Sequence, residues 1–232
     1  MAKRPIQTTD PPRGTYRHGD LRRALLEAGT ELAREGGPLA VVLREATRRA
    51  GVVPNAAYRH FASRQELLEA VRAAALADLA RTMEAELATI NPALPAVEQA
   101  RASLRAVGLG YLRYALAEPG LFRTAFAFSE TPEGDSDLAK TGSSGLNPFQ
   151  LLSAALDRMT ETGRLDALAR PGAEFLAWSA VHGFAMLILD GPMRSLPTEH
   201  IQLLAGRLVS MVEKGLAVDR PTRSMPIGAA TP

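Results

Sequence analysis

The amino-acid sequence predicts an all-α protein in which a compact N-terminal group of three helices precedes a larger helical bundle. Apolar residues recur at steps of three and four along most of the chain, which is the period of a helix, and nothing beyond Asn91-Pro92 alternates like a strand. Pro, Asn and Ser stand where helices would begin, and Gly stands where they would end. The 232 residues are 46% hydrophobic and 22% charged, which is enough to build a sizeable core.

The first predicted helix starts near Asp20 and ends at the pair Gly36-Gly37. Its apolar residues lie on one side of the helix, so that this side is expected to be buried against a neighbour. These residues are Leu21, Leu25, Ala28 and Leu32.

Two short helices follow, joined by a turn of four residues. The first covers about 42–50 and ends at Gly51. Pro54 begins the second, because its fixed φ suits the first helical position and its missing N–H is not needed there. The apolar residues of the pair are mostly small, which permits close contact between the two helices. They are Ala46, Ala50, Val52, Ala57 and Phe61.

A long fourth helix begins at a capping box, with Ser63 at the N-cap and Glu66 three residues later, and runs towards Ile90. Between 129 and 145 the composition shifts to Ser, Thr, Gly, Pro and acidic residues, which predicts a long loop. The remaining predicted helices cover 95–117, 119–128, 147–162, 172–189 and 197–215.

These elements divide the chain into two domains and two tails. The three N-terminal helices form a domain over 17–65, and the helical bundle forms a second over 66–217. The tails, 1–16 and 218–232, are rich in Pro, Thr and Gly and are predicted to be disordered.

Composition excludes several classes of protein. The chain has no cysteine, so disulfides, thiolate metal sites and a cysteine nucleophile are ruled out. Its four histidines are scattered, and we predict no metal and no cofactor. We expect no enzyme, because there is no Ser-His-Asp set, no glycine-rich phosphate loop and no paired carboxylates. Without a membrane-length apolar run or a signal peptide, the expected location is the cytoplasm.

Charge is unevenly distributed along the chain. Residues 1–81 carry 14 Lys and Arg against 9 Asp and Glu, a net charge of +5, whereas residues 82–232 carry a net charge of −3. This asymmetry favours a polyanion-binding N-terminal part.

The second short helix leaves a polar, weakly basic surface pointing outward. Such a surface suits the major groove of DNA, which is about 12 Å wide and admits one helix. Arg44 and Arg64, at the starts of the preceding and following helices, are placed to flank the same groove. The outward residues are Asn55, Ala56, Tyr58, Arg59 and His60.

Residues 18–70 resemble the helix-turn-helix region of the TetR family of bacterial transcriptional repressors. The resemblance rests on Ala-Gly-Val at 50–52, on Ala-x-Tyr-x-His-Phe at 56–61, and on an Arg two residues before Glu-Leu at 66–67. It implies that Arg44 touches a base and that Pro54, Asn55 and Ala56 face base edges. It also implies that Tyr58, His60 and Arg64 meet phosphates, while Arg59 lies at the edge of the surface.

Two positions depart from the family pattern. Val42 and Val53 stand where members commonly carry Ser or Thr, whose hydroxyl would cap a helix and bind phosphate. This leaves open a second hypothesis, a small-molecule-binding helical protein with a weakened DNA reader. Two further alternatives remain: Tyr58 as a core aromatic, and Arg48 with Arg49 as an ordinary solvated face.

By the same resemblance, the bundle senses a small molecule and forms a homodimer through its last two helices. A dimer also has a physical motive, because it places two reading helices about 34 to 36 Å apart, on successive turns of the duplex. The residues expected near this seam have an alternative role in the intrachain core. They are Leu203, Leu204, Leu208, Met211 and Val212.

The run from Trp178 through His182 to Gly183 resembles the signature of one branch of the family, named for Trp, His and Gly. Trp178 and His182 are four residues apart and share a helix face, where they predict a ligand pocket together with Tyr111 and Phe126. The alternative is that both are core residues, with His182 a satisfied packing histidine. Further pocket candidates are Tyr114, Phe122, Phe128, Met159 and Met186.

Together, these features predict a ligand-responsive regulator, by family habit a repressor, that binds a palindromic operator in double-stranded DNA as a homodimer. The effector is an unspecified small molecule.

Overall fold

The computed structural model describes residues 18–127 and 136–217, which form nine α-helices and one 3-10 turn and contain no β-strand. The predicted all-α fold is therefore confirmed. The predicted tails, Phe128 and part of the predicted 129–145 loop lie outside the described residues. The helices are α1 His18–Ala40, α2 Leu43–Arg49, α3 Pro54–Ala57, α4 Arg64–Leu87, α5 Ala96–Ala117, α6 Pro119–Ala125, α7 Pro148–Glu161, α8 Ala173–Leu189 and α9 Thr198–Leu216, and the 3-10 turn is Leu138–Lys140.

Helix α1 is interrupted at the glycine pair that predicted its end. Gly36 and Gly37 leave helical geometry, and Gly37 adopts φ 68° and ψ −161°, a conformation that a residue with a Cβ rarely takes. The chain then resumes one further helical turn through Pro38. The predicted stop is thus a break inside the element, because proline tolerates the start of the new turn.

Helices α2 and α3 pack as the small apolar residues predicted. Ala46, Ala57 and Phe61 are fully buried, and Gly51 makes the turn with φ +66°. The Arg22 guanidinium of α1 lies 5.0 Å from the centre of the Phe61 ring. This cation–π contact fixes α1 over the pair, so that the three helices form one compact head.

Helix α4 connects the head to the bundle. At its start the Glu66 N–H donates to Ser63 Oγ over 3.1 Å, as predicted, but the Glu66 carboxylate accepts from the Ala62 N–H rather than from the N-cap. Its 24 residues span about 36 Å. Buried residues occur from Leu67 to Glu86, so α4 is core along its whole length.

Helix α6 lies directly against α1. Gly120 makes this possible, because a Cβ at that position would overlap the carbonyl oxygens of Ala33 and Arg34. The contact is reinforced by an ion pair of 2.8 Å between Arg34 and Glu118. The head therefore rests on the first turn of α6.

Within the bundle, charged side chains fix helices to one another. Glu213 on α9 is only 2% exposed and pairs with Arg101 of α5 at 2.5 Å and with Arg105 at 3.8 Å. Arg170 joins α7 to α8 through Asp157 and Glu174, both at 2.7 Å. None of the helices described is both long enough and apolar enough to cross a membrane.

Candidate nucleic-acid interface and ligand cavity

The reading surface consists of side chains at and just after α3 that the head's own packing does not use. Asn55, Tyr58 and Arg59 are exposed, and His60 is half-buried. Tyr58 is 58% exposed, which excludes the alternative that it is a core aromatic. Ala56 differs from its neighbours, because it packs partly against the core. The polar side chains of this surface form no hydrogen bond or ion pair with any residue that the structure describes.

The arginines of α2 fall into two groups. Arg48 pairs with Glu45 at 2.7 Å, and Arg49 pairs with Glu35 through two hydrogen bonds of 2.7 Å. Hydrogen bonds from Arg48 and Arg49 hold the pKa of Glu45 at about 2, far below its usual range. Arg44 is exposed and forms no such pair within the described part of the chain. Arg44 is therefore the α2 arginine whose charge is available to an external anion.

Arg64 has a structural role that the sequence did not indicate. Its Nε donates to the Val41 carbonyl and its Nη2 donates to the Pro38 carbonyl, each over 2.7 Å. These bonds tie the first turn of α4 to the last turn of α1 and to the connection that follows it. The predicted contact between Arg64 and a phosphate remains a prediction. Only the guanidinium N–H groups that are not used in these two bonds are available for it.

The two departures from the family pattern, Val42 and Val53, stand directly before α2 and α3. Val42 occupies the N-cap of α2 without any side-chain capping bond, as expected for a residue that has no hydroxyl. Val42 is 41% exposed and Val53, directly before α3, is 68% exposed.

A cavity of about 110 Å³ lies inside the bundle. Three of the four predicted ligand-binding residues, Tyr111, Phe126 and Trp178, line it, whereas His182 does not. Most of the remaining wall is aliphatic and comes from five helices. These wall residues include Leu76 and Met83 of α4, Leu104 and Val107 of α5, Leu152 of α7, Val181 of α8, and Val209 and Val212 of α9.

Behind the cavity wall, Trp178, Tyr111 and His182 form a relay of hydrogen bonds. Trp178 Nε1 donates to Tyr111 Oη over 3.1 Å, and Tyr111 Oη lies 2.7 Å from His182 Nδ1. Since the indole can only donate, the Tyr111 hydroxyl proton is directed to Nδ1, and the neutral imidazole carries its proton on Nε2. Burial lowers the pKa of His182 and raises the pKa of Tyr111, which keeps both groups uncharged.

An aromatic cluster extends the relay into α6. The Phe126 ring centre lies 5.9 Å from Trp178 and 5.0 Å from both Phe122 and His182. Phe122 is fully buried and meets Tyr111 edge to face at 5.4 Å. The helix that supports the head therefore also forms part of the cavity wall.

Polar residues that sequence reasoning missed border the cavity. They are Arg72, Lys140 and Asn147. Arg72 Nε donates to the Ala125 carbonyl over 3.1 Å, and Asn147 caps α7 in a reciprocal box with Gln150. The Asn147-Pro148 pair signalled the start of α7 in the sequence, but nothing in the sequence indicated that this start or Arg72 meets a cavity.

Glu84 of α4 holds the segment that carries Lys140. Its carboxylate accepts from the backbone N–H groups of Ser143 and Ser144 over 2.8 Å each, and from the Ser144 hydroxyl over 2.6 Å. The end of the predicted loop is thereby fastened to the bundle.

The expected seam residues on α9 divide between surface and core. Leu203 and Met211 are 59% and 61% exposed, whereas Leu208 and Val212 pack against the intrachain core. Leu204 is half-buried. Leu208 and Val212 therefore take the intrachain-core role, whereas a dimer role for the exposed Leu203 and Met211 stays a prediction.

The structure combines a helix-turn-helix head that has an exposed polar face with an all-α bundle, and one long helix connects the two. This combination is typical of helix-turn-helix regulatory proteins. Two family profiles match the chain: "Bacterial regulatory proteins, tetR family" over residues 25–71 and "Tetracyclin repressor-like, C-terminal domain" over residues 104–212. Together they span about two thirds of the sequence. The chain belongs to the TetR family of bacterial regulatory proteins, which confirms the resemblance. Its assignment to the Trp-His-Gly branch stays a prediction.

Solved structures share this fold. A protein of unknown function from Rhodococcus sp. RHA1 is 24% identical, with a TM-score of 0.69 over 89% of this chain and 100% of that one. A TetR family transcription regulator from Marinobacter aquaeolei VT8 is 21% identical, with a TM-score of 0.58 over 86% and 96%. The regulator PfmR from Thermus thermophilus is 22% identical, with a TM-score of 0.51 over 83% and 98%. No curated protein has a significant sequence match to this chain.

Proposed function

We propose that this protein is a ligand-responsive transcriptional repressor that acts in the cytoplasm as a homodimer on a palindromic operator in double-stranded DNA. The observation that carries the proposal is the exposed polar face of the head. Asn55, Tyr58 and Arg59 have no partner among the described residues, although the apolar residues beside them are fully buried.

In the proposed complex the start of α3 enters the major groove. Arg44, Pro54, Asn55 and Ala56 face base edges, Tyr58, His60 and Arg64 contact phosphates, and Arg59 lies at the edge of the surface. We assign this role to residues 17–65 and the effector and dimer roles to residues 66–217. Helix α3 has only four residues, so one head reads few base pairs, and two heads on one duplex multiply the specificity.

The proposed dimer forms through α8 and α9. Beside Leu203 and Met211, these helices expose Leu176 and Leu187 of α8, which are 66% and 43% exposed. Covering such side chains with those of a symmetry mate would remove apolar surface from water, as in a four-helix interface.

The proposed effector is a small, mainly apolar molecule that occupies the bundle cavity. Tyr111, Phe126 and Trp178 form its aromatic wall, and His182 acts from behind by orienting the Tyr111 hydroxyl. Most of the cavity wall is aliphatic or aromatic and the Tyr111 hydroxyl is already bonded to Trp178 and His182, which favours a mainly apolar ligand, with Arg72, Lys140 and Asn147 as the polar residues at its border.

Helices α4 and α6 give the effector a physical route to the head. Helix α6 places Phe126 in the cavity wall and presses Gly120 against α1, while α4 lines the cavity with Met83 and begins beside the head. A ligand that favours one packing of these helices changes the separation of the two heads, and with it the affinity for DNA.

Selection of bound duplexes from a random pool tests the DNA-binding part. We expect enrichment of a palindrome and an affinity that falls steeply with salt. Arg44→Ala should weaken binding at least tenfold, which is roughly the free energy of one base-directed arginine. The matched control is Arg48→Ala, which lies four residues along the same helix but is paired with Glu45, and it should leave the affinity nearly unchanged.

The weakened-reader hypothesis predicts a different result. It is motivated by Val42 and Val53, which lack the hydroxyl that family members commonly carry at these positions, and it predicts a folded dimer that binds an apolar ligand but enriches no duplex. Equal effects of the two arginine variants would also count against the proposed reading surface.

A further inference from the structure

Val53 is an exposed valine on the side of the head proposed to meet DNA. It directly precedes α3 and is 68% exposed, while Ala57 and Phe61 nearby are fully buried. The head's core is therefore complete without the Val53 side chain, and the fold gives no reason for an apolar residue at this position.

The chemistry of valine restricts what Val53 can contact. Its two methyl groups neither donate nor accept hydrogen bonds, so it gains nothing beside a phosphate. Among the base edges of the major groove, the thymine C5-methyl is the apolar group, and aliphatic or methyl-bearing side chains are its usual partners. The residues that begin a recognition helix are those that reach base edges.

We propose that Val53 is a specificity-determining residue that packs on a thymine C5-methyl group in each half-site of the operator. The inference rests on the proposed function, because it places α3 in the major groove. Val42 serves as the comparison. It is also an exposed valine, at 41%, but it is the N-cap of α2, the helix that crosses the DNA backbone in this motif. Its side chain is much shorter than that of Arg44, the α2 residue proposed to reach a base, and so it should read no methyl group.

Uracil substitution tests the contact, because deoxyuridine differs from thymidine only in lacking this methyl group. In the duplex enriched by selection, each thymine is replaced by uracil in both half-sites at once, one symmetric pair at a time. Dissociation constants are then measured for the wild type, Val53→Ala and Val42→Ala. One pair should weaken wild-type binding by about fourfold per half-site, the value for one buried methyl group.

The same uracil substitution should weaken the binding of Val53→Ala much less than that of the wild type, because alanine lacks the two methyl groups proposed to contact thymine. Val42→Ala should keep the wild-type sensitivity. The thermal unfolding midpoints of the three proteins should be equal. This control establishes that differences in affinity come from the exposed valine side chains and not from loss of folding. Three results would each overturn the inference alone. Val53→Ala and the wild type could be equally sensitive to uracil, the sensitivity could be lost only in Val42→Ala, or the wild type could respond at no thymine. Failure to enrich any duplex would overturn the proposed function and this inference together.

Discussion

Two tyrosines on α5 provide a matched pair for one prediction. Tyr111 and Tyr114 are 4% and 3% exposed and lie three residues apart on the same helix. The Tyr111 hydroxyl accepts a hydrogen bond from Trp178 Nε1 and donates one to His182 Nδ1, whereas the Tyr114 hydroxyl has no hydrogen-bond partner among the described residues. The same substitution, Tyr→Phe, therefore removes two hydrogen bonds at one position and none at the other.

The expected free energies have opposite signs. Tyr111→Phe leaves the Trp178 N–H and His182 Nδ1 without their partner, and each loss costs about 1 kcal/mol because both side chains are only partly buried, so the free energy of unfolding should fall by about 2 kcal/mol. Tyr114→Phe removes a buried hydroxyl that no protein group satisfies, and stability should stay the same or rise by up to about 1 kcal/mol.

Urea unfolding at one fixed protein concentration measures both variants, since the stability of a dimer depends on concentration. For a chain of this size, a loss of about 2 kcal/mol corresponds to a drop in Tm of about 4 to 8 °C. Equal losses in the two variants would refute the reasoning, because they would show that stability at these positions follows the volume or polarity of the ring and not its hydrogen bonds.

Three further predictions follow from single contacts. Arg64→Ala should lower the free energy of unfolding by about 1 kcal/mol, because it leaves the Pro38 and Val41 carbonyls without their donor. Arg64→Lys should not restore this stability, because lysine lacks the planar guanidinium that bridges the two carbonyls. Urea unfolding measures both variants. Gly120→Ala should cost about 1 to 3 kcal/mol and weaken DNA binding, because its methyl group forces α6 away from α1. The wild-type free energy of unfolding should decrease as the pH falls below about 6.5, because burial lowers the folded pKa of His182 and the unfolded chain then binds more protons; above this pH its contribution should be constant.

Each of these predictions has its own contrary outcome. Full rescue by lysine would mean that charge alone acts at Arg64. An unchanged stability of Gly120→Ala would mean that α1 and α6 are not in contact. For the pH profile, His182→Gln should be flatter between about pH 5 and 6.5, and an identical slope would assign the protons to other groups.

The starts of helices were predictable from the sequence because local chemistry determines them. Ser63 and Asn147 each cap the helix that their sequence context indicated, and Gly51 takes the left-handed turn between α2 and α3. The end of α1 was less predictable. Gly36-Gly37 breaks the helix as expected, but whether the chain resumes helical geometry after a break depends on what the next turn packs against.

The cavity was predicted in part. Tyr111, Phe126 and Trp178 carried a signal because aromatic residues stood at helical spacing, but the same signal could not separate His182 behind the wall from residues in the wall. Arg72 on α4 gave no signal, since its proximity to the cavity depends on how α4 and α6 pack over a long sequence separation. Pairings of this kind are tertiary facts that no local pattern encodes.

The unbroken course of α4 restricts how such a chain can change during evolution. Each residue inserted into or removed from the middle of α4 would rotate the head by about 100° relative to the bundle. It would also shift the head along the helix axis by about 1.5 Å. In the proposed dimer, two subunits altered in this way would no longer present their α3 segments in the orientation that one duplex requires. Drift in length is therefore expected in the connections between helices, and the number of residues from Arg64 to Leu87 should behave as a constant among proteins built to this plan.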